Sequence, residues 1–384
     1  MKLICNYHDC TGCSACQNSC PHGAIAMHIN EVGFLYPDID KVKCTDCGLC
    51  RKICPQNNDR NCENRAPYTY LCWDNDIISR LNSSSGGFFS VIARFVLREG
   101  GIVCGAAYDD EMLLKHSIIE KECDLHKLQG SKYIQSEIGD SYESVKKVLK
   151  VGRWVYFVGT PCQVAGLKAF LRHDYDTLIT SDLICHGVPS AKLFLQQIRS
   201  LEKKYKSKIT DFKFRSKKRF GQGYDCEVHL NSGYKKFLCA ELIPYFYGFW
   251  YNLTLRESCY QCKYANVNRT GDITLGDFWL VKRVFPDVKT SKGTSLILVN
   301  TPKGEMIFEK IRDKITYRET TLVYGVMGQG QLQAPVNRPA KRDNYQVCDL
   351  ESLQKDILKI PLSYKFKMHT RNFLKLLFFY KYWK

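Results

Sequence analysis

Cys10-Thr11-Gly12-Cys13-Ser14-Ala15-Cys16-Gln17-Asn18-Ser19-Cys20-Pro21 sets four cysteines in the order C-x2-C-x2-C-x3-C and closes on proline. Cys44-Thr45-Asp46-Cys47-Gly48-Leu49-Cys50-Arg51-Lys52-Ile53-Cys54-Pro55 repeats the pattern. Gaps of two residues let three thiolates wrap one face of a cubane, while the fourth cysteine, just before proline, points away and ligates the other cluster. The spacing therefore assigns Cys10, Cys13, Cys16 and Cys54 to one 4Fe–4S cluster, and Cys44, Cys47, Cys50 and Cys20 to a second. Thiolate is a soft ligand that suits iron–sulfur clusters. Two four-cysteine zinc sites would need only pairs of Cys-x-x-Cys, with neither a third cysteine two residues on nor a closing Cys-Pro.

The surrounding residues fit a duplicated ferredoxin half. Ala24-Ile25-Ala26-Met27 is a strand-like apolar stretch after the first Cys-Pro, and Gly33-Phe34-Leu35-Tyr36-Pro37 leads back to the second half. A two-cluster domain is expected over residues 1–60, followed by a polar, turn-rich linker from Asn57 to Pro67. The whole chain is far longer than an electron carrier needs: 384 residues, 45% hydrophobic and 25% charged, which excludes wholesale disorder. No apolar run approaches the ~20 residues of a membrane span. The start, Met1-Lys2-Leu3-Ile4-Cys5, has no signal-peptide core, so export is not expected. Twenty cysteines in such a chain read as metal binding in a reducing cytosol rather than as a disulfide framework.

Beyond the linker, strand and helix patterns alternate. Phe88, Val91, Ile92, Phe95 and Val96 recur at helical spacing after Ser83-Ser84-Ser85-Gly86-Gly87, with serine expected at the N-cap and Gly100-Gly101 as the stop. Strands are expected at Ile102–Ala107, Trp154–Val158, Leu178–Ile184 and Leu296–Val299. Helices are expected at about 142–149, after Cys162, from about Ala191, and at Met306–Ile315. Asn231-Ser232-Gly233 between two strand-like runs is a hairpin signal. The fold class is therefore mixed α/β (α+β in its small N-terminal domain), with a larger body over 65–345, in parts 65–150 and 151–345, built on a partly parallel sheet. Ligands of such sheets bind outside the carboxyl ends of the strands, where Cys162 and Cys185 both fall.

Cys259-x-x-Cys262 supplies another pair. Alone it reads as a redox pair, half a zinc site or two buried thiols; with Cys162 and Cys185 it completes a four-thiolate set for a third cluster.

The motifs Ser84-Ser85-Gly86-Gly87, Gly130 through Ser136, Gly159-Thr160-Pro161-Cys162-Gln163, Cys185-His186-Gly187-Val188-Pro189-Ser190, Arg256 through Cys262, Asp272 through Trp279 and Lys292-Gly293-Thr294-Ser295 occur in that order. Together they resemble the coenzyme F420 hydrogenase/dehydrogenase beta-subunit family over roughly residues 1–300, with a fused ferredoxin. The resemblance implies FAD and a 4Fe–4S cluster in the body, the latter on Cys162, Cys185, Cys259 and Cys262. It implies an oxidoreductase that passes electrons from a ferredoxin-like donor or a redox partner subunit, through clusters and FAD, to a two-electron small-molecule acceptor. Coenzyme F420 is one such acceptor in the family, and similar bacterial proteins accompany polysaccharide gene sets. The competing expectation is a non-catalytic electron-transfer subunit serving a partner enzyme.

A flavin diphosphate needs backbone N–H donors at helix starts, which Gly159-Thr160 and Ser85-Gly86-Gly87 provide. In the Ser131-Lys132-Tyr133 segment, Lys132 offers charge and Tyr133 a ring face. Gly-Gly reads equally as a tight turn, and Lys132 as a solvated lysine. His186 is the candidate catalytic proton donor; it reads equally as a group that orients Cys185 or a cofactor carbonyl. Asp272 and Asp277 are expected to be structural or cofactor-orienting.

The formal net charge is +17. A basic, aromatic tail is expected over 346–384, either lying at a membrane surface or packed on the body with its lysines in water. The chain is expected to be cytoplasmic or peripheral to a membrane. No single-stranded groove pattern is readable, so nucleic acid is not an expected partner.

Overall fold

In a computed structural model, residues 3–58, 66–219, 221–345, 349–359, 361–363 and 370 are described. The N-terminal domain pairs β1 (Ile25–Ile29) antiparallel with β2 (Leu35–Ile39) across two short cysteine-bearing helices, Ala15–Asn18 and Leu49–Ile53. The body contributes β3 (Tyr68–Asp74), β4 (Ile102–Tyr108), β5 (Leu114–Ile119), β6 (Val155–Gly159) and β7 (Leu178–Leu183). It continues through β8 (Ile209–Lys213), β9 (Asp225–Leu230), β10 (Lys235–Cys239), β11 (Ile273–Asp277), β12 (Ser295–Val299) and β13 (Ile315–Thr320).

Eight of these strands form one sheet in the order β13-β3-β12-β11-β7-β6-β4-β5. Its centre is parallel, with β4 on β6, β6 on β7 and β7 on β11, and its flanks are antiparallel. Every residue of β6 is buried, as a strand covered on both faces requires. The sheet draws strands from both expected parts of the body, so 65–150 and 151–345 share one layer. β8, β9 and β10 form a separate three-stranded sheet, and β9 and β10 are the expected hairpin.

One expectation is corrected. The helix Phe88–Arg98 is capped by Gly87 rather than by serine: φ is 93° there, a left-handed conformation that a Cβ disfavours. Within the 346–384 segment, helix Leu350–Leu358 packs against helix Pro244–Trp250, with Leu353 fully buried, because it carries an apolar stripe that needs a partner. The aromatic end, 371–384, and most of the linker, 59–65, lie outside the described residues. Among the described residues, no helix is long and apolar enough to cross a membrane.

The small domain docks on the body near the carboxyl ends of the parallel strands. Lys263 Nζ, one residue past Cys262, donates to the carbonyls of Pro55 and Asn58. Lys192 Nζ donates to Glu31 O at 2.8 Å, and Asn18 Nδ2 to Gly139 O at 2.9 Å. Helix Pro161–Leu171 meets the first cysteine loop at Gly166, where a Cβ would come within 3.0 Å of Cys13 Cβ.

Candidate redox centres

The two cysteine loops share a backbone device. Gly12 and Ser14 have φ of 66° and 58°, and their counterparts Asp46 and Gly48 have 51° and 73°. Left-handed residues between cysteines curl the chain so that successive N–H groups point inward, a concavity that favours anions. The N–H groups of Gly12, Ala15 and Gln17 meet the sulfurs of Cys10, Cys13 and Cys16, and that of Arg51 meets Cys50. Ala24 N donates to Cys20 Sγ at 3.3 Å. One small apolar cavity is lined by Cys10, Cys13, Cys16 and Cys54, and a second by Cys20, Cys44, Cys47 and Cys50. The structure thus brings each quartet together crosswise, and the inward N–H groups suit the anionic sulfur of a cluster. Cys5 joins the first cavity. Its thiol hydrogen-bonds Cys10 and Cys54, holding them down to about 6 and about 7.

The four body cysteines come from three separate segments. Cys162 lies in the first turn of helix Pro161–Leu171, with Sγ 3.1 Å from Thr160 Oγ1. Cys185 lies two residues past the end of β7. Cys259 closes a single helical turn, Glu257–Cys259, and Cys262 lies three residues on. A bridge between Pro189 and Leu255, with Arg256 N donating to Val188 O at 3.0 Å, draws the last pair to the Cys185 loop. Gly187 permits the approach, since a Cβ there would meet Leu255 Cδ1 at 2.8 Å and Cys259 Cβ at 3.3 Å. Burial raises all four thiols, to about 12 at Cys259 and about 11 at Cys262. Each of Cys259, Cys162 and Cys262 also raises Cys185 by charge repulsion, so the four stand close enough to feel one another. Among the described residues, no group of three or more His, Cys, Asp or Glu is spaced to hold a single metal ion. Buried thiols that repel one another need a counter-charge, which metal would supply.

A cavity of about 480 Å³ lies beside Cys185. Ser85, Gly87, Ser131, Lys132, Tyr133, Gly159, Thr160 and His186 line it. Gly86 does not. Its N–H donates to Ser295 Oγ at 2.8 Å, and a Cβ there would come within 2.4 Å of Cys72 O, so it is the point where the loop packs on β3 and β12. The volume and the mix of apolar walls with a few polar groups fit a ligand of cofactor size. Some of the expected donors are already engaged. Thr160 N donates to Gln163 Oε1 at 3.0 Å, and Ser131 N to Ser84 Oγ at 2.7 Å. Lys132 Nζ donates to Gln129 O at 3.1 Å, and burial brings it down to about 8. It is therefore a partly buried ammonium rather than a solvated lysine.

His186 is held at both nitrogens. The network assigns the proton to Nε2, which donates to Asn252 Oδ1 at 2.7 Å, while Gln331 Nε2 donates to Nδ1 at 3.2 Å. Burial depresses its pKa, so the ring is neutral. The two bonds fix the ring between Asn252 and Gln331, and giving up the proton would break the bond to Asn252. Asp272 accepts from Thr180 N and Oγ1 at 2.8 and 2.7 Å and fixes strand ends.

Several residues of the cavity had no clear sequence signal. His116, neutral and depressed to about 4 by burial, donates from Nε2 to Val158 O at 3.1 Å and accepts from Ser136 Oγ at 3.0 Å. Arg215, which does not itself line the cavity, forms a two-pronged pair with Asp277, which does, and its guanidinium lies 4.9 Å from the centre of the Tyr224 ring and 5.2 Å from that of Trp279. The basic run Lys213 through Arg219 is the only trace of Arg215 in the sequence, and it does not single out that residue.

Comparisons with known proteins follow the same division. Residues 152–323 match the family described as the C terminus of the coenzyme F420 hydrogenase/dehydrogenase beta subunit, and residues 9–58 match the 4Fe-4S dicluster domain. A chain of the xenon-derivatised F420-reducing [NiFe] hydrogenase complex from Methanosarcina barkeri is 15% identical, with a TM-score of 0.47 over 79% of this chain and 93% of that one. No curated protein matches the chain.

Proposed function

We propose that the chain, whose residues 9–58 match a 4Fe-4S dicluster domain and residues 152–323 the C terminus of the coenzyme F420 hydrogenase/dehydrogenase beta subunit, is an iron–sulfur flavoprotein oxidoreductase. In this reading it takes electrons from a ferredoxin-type donor or a redox partner subunit and delivers them to a two-electron acceptor. Coenzyme F420 is one acceptor of the right chemistry, and a substrate of polysaccharide biosynthesis is another. The observation that carries the reading is Cys185, which lines the 480 Å³ cavity and also belongs to the four-cysteine set of the body. One residue thus borders a candidate metal centre and a candidate flavin site.

When bound, 4Fe–4S clusters supply one-electron transfer and FAD supplies exchange between one- and two-electron chemistry. Cys162, Cys185, Cys259 and Cys262 would hold the body cluster, and Ser131, Lys132, Tyr133, Gly159 and Thr160 would hold the flavin. Lys132 would add positive charge beside a diphosphate, and Gly87 and Gly159 would let backbone approach it. His186, pinned between Asn252 and Gln331, would keep the Cys185 loop in register rather than transfer a proton. Trp250 and Trp279, 43% and 42% exposed, stand at the cavity rim, where a flat acceptor can stack.

The test is anaerobic purification of the full chain with iron, sulfide and flavin counts and an absorbance spectrum. About one FAD per chain beside protein-bound iron and sulfide is expected. A folded, iron-loaded chain that takes up no flavin on reconstitution would refute the flavoprotein reading and leave the electron-transfer subunit.

A further inference from the structure

Arg256 is the largest fully buried side chain among the described residues. It lies at the seam between the small domain and the body. Nε donates to Cys10 O at 2.7 Å, and Nη1 to Gln135 Oε1 at 3.1 Å. The guanidinium lies 4.2 Å from the centre of the Tyr36 ring and 5.6 Å from Phe34, both in the small domain. Its own backbone is fixed in the body: its N–H donates to Val188 O at 3.0 Å, and its carbonyl accepts from Cys259 N at 2.9 Å. One side chain thus spans from the loop that carries Cys10 to the loop that carries Cys259.

Two features of this arginine require a partner that protein alone does not provide. Nη2 is buried and has no hydrogen-bond partner. Among the described residues, no carboxylate forms an ion pair with it. A buried charge left unpaired is costly, and a buried donor left without an acceptor adds to that cost. The chain around it belongs to two of the cysteine sets: a Cβ on Gly12, between Cys10 and Cys13, would come within 3.1 Å of Nη1, and Cys259 N is held on the arginine's own carbonyl. Gly166, in the helix that carries Cys162, would bring a Cβ within 3.0 Å of Cys13 Cβ, so the first quartet and the body quartet are neighbours. The other quartet, Cys20, Cys44, Cys47 and Cys50, lines a separate cavity whose walls include none of the residues that Arg256 bonds or stacks on.

We propose that Arg256 is a positioning residue shared by two redox centres: a fixed cation between the site of Cys10, Cys13, Cys16 and Cys54 and the site of Cys162, Cys185, Cys259 and Cys262. It makes these two sites adjacent in the relay and raises the reduction potential of both. This rests on the reading of both sites as 4Fe–4S sites. Each such cluster is anionic and gains negative charge on reduction, so a fixed cation between them favours the reduced form of each. The clusters in turn supply the counter-charge that the guanidinium itself lacks.

The experiment is an anaerobic potentiometric titration of the full chain, followed by low-temperature EPR, on wild type, Arg256→Gln, Arg256→Lys and Gln135→Glu. Gln135→Glu keeps the arginine and its packing but sets a carboxylate against Nη1. Arg256→Gln and Gln135→Glu are each expected to move the midpoints of the two flanking clusters to more negative potential and to leave the third where it is. Arg256→Lys, which keeps the charge, is expected to restore most of the shift. Unmoved potentials in Gln135→Glu, or an equal shift of all three clusters in any variant, would overturn the proposal. If Arg256→Gln loses iron, Gln135→Glu and Arg256→Lys decide. Iron counts separate the two levels of failure. About twelve iron per wild-type chain with unmoved potentials defeats the shared-cation inference alone. About eight iron, with no body cluster, defeats the underlying reading with it.

Discussion

The two cysteine loops of the small domain carry the same motif and the same left-handed residues, yet they end in different surroundings. Cys10, Cys13, Cys16 and Cys54 are all buried, whereas Cys20, Cys44 and Cys50 are half-buried and Cys47 is exposed. The first loop is pressed against helix Pro161–Leu171 and Arg256, and the second faces solvent. Local sequence dictates how a loop wraps a cluster. The body it docks on dictates how deeply the cluster is buried and which charges surround it. A duplicated motif can therefore yield an inner and an outer redox site, with the outer one open to a donor.

The strongest way to break this comparison is to remove one thiolate from each loop. Cys13→Ala and Cys47→Ala should each lose about four iron per chain. Cys13→Ala should also lower the melting temperature more, because the inner loop carries much of the docking. Equal melting temperatures for the two variants would show that the inner loop is not held by the body.

The paired glycines give a smaller effect. Gly48→Ala must adopt φ near 73° with only Arg51 Nη2, a flexible end, within 3.3 Å. It should cost about 1–2 kcal/mol. Gly12→Ala meets the same strain and also Gln135 Nε2 at 2.8 Å and Leu35 O at 2.9 Å, the second being backbone that cannot move away. Overpacking should bring its cost to about 3 kcal/mol. Denaturation of both variants under anaerobic conditions checks the order, which would be reversed or absent if the inner loop were loosely docked.

An effect that vanishes at neutral pH and shows only under acid lies in the body. His116 is depressed from 6.5 to about 4, so the unfolded chain binds a proton more readily than the folded one. Its contribution is fully present above pH 6.5 and is lost as pH falls toward 4, by on the order of 3 kcal/mol at most. His116→Gln should flatten that part of the stability profile. A wild-type slope that persists unchanged in the variant would assign it to other groups.

Much of this was legible in the chain itself. The eight cysteines of the small domain could be read because their meaning lies in gaps of two and three residues. Strands β6 and β7 were readable as continuous apolar runs. The cavity wall was less so. Arg215 and Asp277 are 62 residues apart and meet only through the fold, and His116 sits in a strand with no motif around it. Arg256 stands at the head of the Cys259 motif, but its charge acquires meaning only when Cys10 O and Tyr36 arrive from the small domain. Gly86 misled because a glycine pair suggests phosphate, whereas the close contact it serves is with its own sheet.

The central claim is that the body holds a third cluster beside the cavity, on thiolates gathered from three segments. Cys185→Ala tests it most directly, by iron count and flavin absorbance on the full chain purified without oxygen. The account predicts a fall of about four iron per chain with the EPR signals of both small-domain clusters retained, and a perturbed flavin spectrum. Iron content equal to wild type, with an unaltered flavin spectrum, would contradict it.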